Sequence, residues 1–165
     1  GEICISGTTV MKGYYCDEEA TKEALRCHPD GEIWLHSGDL GYIDENGNVY
    51  LIGRLKRLIV RYDGIKVPPT SVENVLVKHE AVSACCVVGA PDVEHGRGQK
   101  PVAFVVMANG VSAQALTDTL VELCKSELPE KYIPVSFLQI NALPLSANGK
   151  VDYQALEKEA AKLKV

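Results

Sequence analysis

The sequence predicts an α+β protein in two parts. A small strand-rich subdomain is expected over residues 1–53, followed over 54–165 by a compact domain whose three-stranded sheet is packed by helices. Three observations carry this reading: an Asn46-Gly47 pair between two apolar stretches, two uninterrupted apolar runs at 84–89 and 101–107, and leucines 116, 120, 123 and 128 at helical spacing ahead of Pro129.

In chain order, Gly1-Glu2-Ile3-Cys4-Ile5 reads as a strand. Asp17 followed by Glu18 and Glu19 is a capping residue with acids in the first turn, so a short helix is predicted from there, ending near Pro29. Residues 41–52 form a hairpin around Asn46-Gly47, because both residues accept the positive φ that tight hairpin turns require. A strand is expected over 54–60, then a helix over 71–79, opened by Pro69 and by a Thr70-x-x-Glu73 pattern that fits a capping box. Two buried strands at 84–89 and 101–107 precede a helix over 112–128, whose leucine stripe belongs to the core. A third strand over 135–140 leads through a loop rich in Pro, Ser, Asn and Gly into a last helix over 152–162.

Composition narrows the function classes. With 17 basic and 22 acidic residues, a net charge of -5 and a pI near 5.4, the chain lacks the footprint that phosphate-backbone binding needs, so nucleic acid is not an expected partner. No apolar run is long enough for a membrane span. The 6 cysteines show no C-x-x-C spacing and the 4 histidines are scattered, so no metal site is expected. Cys85 and Cys86 are adjacent inside an apolar run and should point to opposite faces of a strand as small hydrophobes. Free cysteines of this kind suit a reducing cytoplasm. The start on strand-like residues without Met predicts a piece of a longer protein.

Chemistry is concentrated in three ordered motifs. Trp34-Leu35-His36-Ser37-Gly38-Asp39 is followed by Gly53-Arg54-Leu55-Lys56, and later by Pro144-Leu145-Ser146-Ala147-Asn148-Gly149-Lys150-Val151-Asp152. Taken singly, Asp39 reads as a turn residue, Arg54 as half of a strand-edge ion pair and Lys150 as an exposed loop lysine. Their order and spacing, together with Gly1-Glu2-Ile3, Gly13-Tyr14-Tyr15 and Gly64-Pro69-Glu73, resemble the acyl-adenylate-forming enzymes. That family includes acyl-CoA synthetases, beetle luciferases and the adenylation domains of nonribosomal peptide synthetases.

The resemblance implies a C-terminal part of an AMP-forming acyl-CoA synthetase: residues 1–53 closing the large N-terminal domain and 54–165 forming the mobile C-terminal domain. The full-length ligase would convert a carboxylic acid and ATP to acyl-AMP, then transfer the acyl group to the thiol of coenzyme A. Asp39 and Arg54 would hold the ribose of ATP or AMP, since a carboxylate can accept from both vicinal hydroxyls and a guanidinium adds a rigid fork of donors. Lys56 would be the hinge and Gly64 part of the thiol-side loop. Lys150 would be the catalytic cation, a compact charge on a flexible stem that offsets the charge built up as a carboxylate attacks a phosphate.

The Mg²⁺ ligands, the phosphate loop and the acyl pocket lie outside this sequence in that family, so the 165-residue piece alone is predicted to be inactive. A lysine acetyltransferase and deacetylase acting at Lys150 are further implied partners. Two departures stand out: Ser37 and Ser146 occupy positions where Thr is commoner, and Arg61-Tyr62-Asp63-Gly64 is one residue longer before its glycine. Two other readings stay open, an adenylation domain that loads a carrier-protein thiol and a non-catalytic binding module.

Overall fold

A computed structural model describes residues 1–108 and 113–165 of the chain, and the side chains of all of these except 113–116. The chain divides into two compact units, Gly1–Lys56 and Arg57–Val165. Arg54, Leu55 and Lys56 therefore group with the first unit rather than opening the second.

The first unit is a four-stranded antiparallel sheet built on one long strand. The central β3 (Ile33–Ile43) pairs with β1 (Glu2–Ile5) on one edge. On its other edge it pairs with β2 (Leu25–Cys27) near its start and with β4 (Val49–Arg54) near its end. Between β1 and β2 lies α1 (Glu18–Ala24), capped as expected by the Asp17 side chain, which accepts from the Ala20 amide at 2.9 Å. The helix stops at Ala24, earlier than expected, because residues 25–27 are taken into the sheet against Ile33, Trp34 and Leu35. The β3–β4 hairpin turns where the Asn-Gly signal lies. The Asp44 carboxylate accepts from the amides of Asn46 and Asn48, and Gly47 takes φ +83°.

The second unit has a three-stranded sheet in the order β7-β8-β9, where β7 is Val82–Pro91, β8 is Gln99–Met107 and β9 is Ser136–Ile140. β8 runs antiparallel to β7 and parallel to β9. Alternation divides the core into two layers. One face carries Val87, Ala103 and Val105 against α2 (Pro69–Leu76) and α3 (Ala113–Glu127), through Val72, Leu76, Leu120 and Cys124. The opposite face carries Cys86, Val88, Val102 and Phe104 against Leu156 and Ala160 of α4 (Tyr153–Ala160). The adjacent cysteines do point to opposite layers, Cys85 packing on the first and Cys86 lying within the second. Of the leucine stripe, Leu120 is buried and Leu123 and Leu128 pack on the same cluster; Ser112 and the Leu116 side chain lie outside the described residues.

Two expectations need correction. Residues 54–60 are not one strand: Arg54 ends β4, Leu55–Arg57 form a 3-10 turn and only Ile59–Val60 are extended, as β5, pairing with β6 (Lys66–Val67). Nor does Thr70 cap α2. Pro68 occupies the cap position without a side-chain bond, and Glu73 serves the interior instead. Its Oε1 accepts from Arg57 Nη2 at 2.6 Å and from the Val87 amide at 2.9 Å. This mostly buried pair ties the first turn of the second unit to its helix and its sheet, and the Arg57 guanidinium also stacks 4.0 Å from the Tyr153 ring centre. Breaking such a pair costs about 3–5 kcal/mol.

Candidate functional site

In the first unit the motif residues converge on the β3–β4 ladder. Asp39 and Arg54 are register partners, and Arg54 Nε donates to Asp39 Oδ1 at 2.8 Å. The Ser37 hydroxyl donates to the Ile3 carbonyl at 2.7 Å and accepts from the Asp39 amide at 3.0 Å, which fixes the bend at Gly38, where φ is +73°. The Glu2 carboxylate accepts from the Gly38 amide at 3.0 Å and is held below the usual carboxylate range, chiefly by its bond from His36. Glu2, Tyr14, His36, Ser37, Gly38 and Arg54 line part of a hollow of about 670 Å³ that also reaches Lys56.

The Asp39 side chain is 27% exposed and that of Arg54 66%. A pair this open to water contributes only about 0–1 kcal/mol to stability. With one oxygen engaged by Arg54, the Asp39 carboxylate keeps the rest of its acceptor capacity available, and Arg54 itself lines the hollow.

The other motif residues fall in the second unit. Lys150 closes a pinched turn in which Leu145 and Val151 bridge, the Ser146 amide donates to the Lys150 carbonyl at 2.7 Å, and Gly149 supplies φ +76°. The Ser146 hydroxyl lies 2.6 Å from Asn148 Oδ1 and 2.7 Å from the Lys150 carbonyl oxygen, so a Ser in place of Thr still provides the polar brace of this turn. The Lys150 side chain is exposed, and α4 follows directly, capped by Asp152.

Gly64, at φ +80°, sits in the turn joining β5 to β6, where the Gly64 amide donates to the Arg61 carbonyl at 2.9 Å. The turn is braced from two sides. Lys131 Nζ donates to Asp63 Oδ2 at 3.0 Å, and this bond, first among several, lowers the Asp63 pKa. The Tyr62 ring stacks face to face on His95 at 3.5 Å, and His95 Nδ1 is held 2.9 Å from the fully buried Asp92 side chain. Burial alone would raise the Asp92 pKa, but the bonds from His95 outweigh it and the carboxyl is shifted down. The backbone of Gly98 passes so close that a Cβ there would lie 2.4 Å from the Tyr62 nitrogen. Motif reading missed this support; an Asp with a His three residues on, inside a glycine-flanked turn, was its one signal.

Arg54 pairs with Asp39, Arg57 with Glu73, and the Arg61 side chain is mostly buried, 3.7 Å from Asp63.

Residues 71–150 match the model of the AMP-binding enzyme C-terminal domain. With the fold and the three ordered motifs, this places the chain in the acyl-adenylate-forming enzyme family, to which it belongs. Among curated relatives it is 39% identical over 151 residues to 4-coumarate–CoA ligase 1 of Glycine max, covering 92% of this chain and 49% of that protein. It is also 39% identical to 4-coumarate–CoA ligase-like 9 of Oryza sativa subsp. japonica, covering 98% and 28%. Among solved structures, the o-succinylbenzoate CoA synthetase of Bacillus subtilis, in complex with its acyl-adenylate intermediate, is 35% identical with a TM-score of 0.80, over 95% of this chain and 30% of that one. The amide bond synthetase McbA of Marinactinospora thermotolerans is 31% identical with a TM-score of 0.82, over 96% and 31%. The chain thus spans between about a quarter and a half of the curated relatives named here. No helix among the described residues is long and apolar enough to cross a membrane.

Proposed function

We propose that the full-length protein is an AMP-forming acid–thiol ligase: carboxylate plus ATP gives acyl-AMP and pyrophosphate, and the thiol of coenzyme A then displaces AMP to give a thioester. The observation that carries this is the solvent-open Asp39–Arg54 pair, set beside a bend that the Ser37 and Glu2 bonds fix, with Arg54 lining a hollow, and contributing too little to folding to be explained by stability. Asp39 and Arg54 bind the ribose hydroxyls. Lys150, carried on its pinched turn, supplies positive charge to the substrate carboxylate and to the phosphoryl oxygens as adenylation proceeds. Mg²⁺ accompanies ATP through ligands outside this chain, and Lys56 is the hinge between residues that bind nucleotide and the domain that carries Lys150 and Gly64.

The carboxylic acids named by the relatives set the first assay. Full-length protein with ATP, Mg²⁺ and each of 4-coumarate and o-succinylbenzoate is tested for pyrophosphate release, then for thioester formation on adding coenzyme A. Release with at least one acid supports the reading. A panel widened to aliphatic acids that still yields no pyrophosphate would overturn it in favour of a binding module. The 165-residue chain, assayed beside it, is expected to release none.

The likeness to an amide bond synthetase favours a second reading of the acceptor alone, in which an amine takes the acyl group from acyl-AMP. Presenting coenzyme A, a carrier-protein thiol and a simple amine in competition separates the three acceptors. All 6 cysteines are free, in keeping with a reducing cytoplasm as the site of action. We also propose Lys150 as the target of a protein acetyltransferase: its side chain is exposed, and acetylation would remove the charge that adenylation needs. Mass spectrometry after enzymatic acetylation, with modification no greater at Lys150 than at Lys158, would contradict that partner.

A further inference from the structure

Three neighbouring strands of the first unit bring together donors that their sequence positions do not suggest. Cys4 on β1 and His36 on β3 are register partners, with Cys4 Sγ 3.7 Å from His36 Nδ1. His28 follows directly on β2, and its Nε2 lies 3.0 Å from His36 Nε2. One donor atom from each of Cys4, His28 and His36 falls within 4.8 Å of the others, and all three residues are half-buried.

We propose that Cys4, His28 and His36 form a site for a borderline-soft divalent cation of the Zn²⁺ class, with a fourth position left to water.

The spacing suits such an ion. With bonds of about 2.3 Å to sulfur and about 2.0–2.1 Å to nitrogen, tetrahedral ligands stand about 3.4 Å apart between nitrogens and about 3.6 Å between sulfur and nitrogen. The His28 and His36 Nε2 atoms, 3.0 Å apart, already stand near this spacing, and Cys4 Sγ, which lies 3.7 Å from His36 Nδ1, joins them by rotation of its side chain toward Nε2. The surroundings are built in the way that orients a ligand histidine. Glu2 Oε2 lies 2.7 Å from His36 Nδ1, and since a carboxylate only accepts, Nδ1 carries a proton and Nε2 is left for the metal. The His28 ring is held by stacking on Trp34 at 5.4 Å, and Trp34 Nε1 is in turn fixed by Asp30 at 3.0 Å. Ligand chemistry agrees with the assignment: one thiolate and two imidazoles select Zn²⁺ or Co²⁺ over Mg²⁺ or Ca²⁺, which take oxygen. Binding releases the Cys4 thiol proton to solvent as the thiolate coordinates.

The ion would staple three strands at their common end and act on the nucleotide motif through one intermediate. Glu2 bonds His36 with one oxygen and the Gly38 amide with the other, one residue from Asp39. Metal binding that fixes His36 therefore also fixes the bend that presents Asp39.

The test uses full-length protein stripped with a chelator, dialysed into metal-free buffer and titrated with Co²⁺ and then Zn²⁺. The expected result is about one equivalent of Co²⁺ bound, with a thiolate-to-cobalt charge-transfer band, and its displacement by Zn²⁺ with a rise in Tm. Cys4→Ser should abolish the charge-transfer band, and His28→Gln should lose the bound equivalent. Cys16→Ser and Cys27→Ser, which change exposed thiols, should alter neither. Circular dichroism identifies any variant that fails to fold, and His28→Gln, at a strand end, then decides alone. No binding by the wild-type protein, or an unchanged band and stoichiometry in both Cys4→Ser and His28→Gln, would overturn the site.

Discussion

Arg54 Nε meets Asp39 Oδ1 at 2.8 Å across one rung of the β3–β4 ladder, so two motifs fifteen positions apart in sequence are joined by one ion pair. On this account both residues act on the nucleotide rather than on folding. In the full-length protein Asp39→Ala and Arg54→Ala should each raise the KM for ATP about 10–100-fold, matching about 1.5–3 kcal/mol for a hydrogen bond to a charged group. Chemical denaturation should show stability changed by no more than about 1 kcal/mol. A large stability loss with an unchanged KM would reassign the pair to structure.

Glycines 98 and 149 have nearly the same backbone, φ +77° and +76°, but different surroundings. A Cβ at Gly98 would press on the Tyr62 backbone, whereas one at Gly149 meets nothing within 4 Å. Gly149→Ala should cost only the left-handed strain of about 1–2 kcal/mol. Gly98→Ala adds about 1–3 kcal/mol of overpacking and should displace the turn holding Gly64. Denaturation of the two variants side by side measures the difference; equal losses would mean that the Tyr62 contact is soft.

Thiol accessibility offers a check of the core. Burial raises the Cys85 and Cys86 thiols to about 12 and Cys124 to about 11, while Cys16 and Cys27 are exposed. At pH 8 a thiol reagent should modify Cys16 and Cys27 rapidly, half-buried Cys85 slowly, and buried Cys86 and Cys124 only on unfolding, because the thiolate is the reactive form. Fast labelling of Cys86 would show that the layer beneath α4 opens.

The two units part just after Lys56, within a 3-10 turn. If Lys56 is the hinge, Lys56→Pro, which fixes φ near -65°, should leave pyrophosphate release within about threefold of wild type and reduce thioester formation by about 10²-fold or more. Equal loss in both assays would mean local unfolding instead.

How much of this was legible in the sequence depended on the range of the interaction. The β3–β4 hairpin, the buried pair of strands and the alternation at Cys85 and Cys86 follow from local periodicity and turn chemistry, and the structure has them where expected. Helix α1 ran too far in the reading because β2 is extended only by virtue of β3, a partner that local propensity does not see. Glu73 resembled a capping residue, but a buried guanidinium and an orphan amide at Val87 compete for the same carboxylate and win. Asp39, Arg54 and Lys150 stand out in the sequence only through the family resemblance that their ordered motifs carry; singly, each reads as an ordinary turn, edge or loop residue. Asp92 and His95, which brace Tyr62, and the convergence of Cys4, His28 and His36 depend on tertiary pairing, so no spacing rule revealed them.

The central claim is that Lys150 serves the first half of the reaction and Asp39 with Arg54 hold its nucleotide. Lys150→Ala in the full-length protein, assayed separately for acid-dependent pyrophosphate release and for transfer from pre-made acyl-AMP to coenzyme A, tests it most directly. The predicted result is a fall of about 10²–10³-fold in the first activity, the scale of one lost charge-stabilising donor, with the second within a few-fold of wild type. Wild-type pyrophosphate release by Lys150→Ala, or an equal fall in both activities, would contradict it.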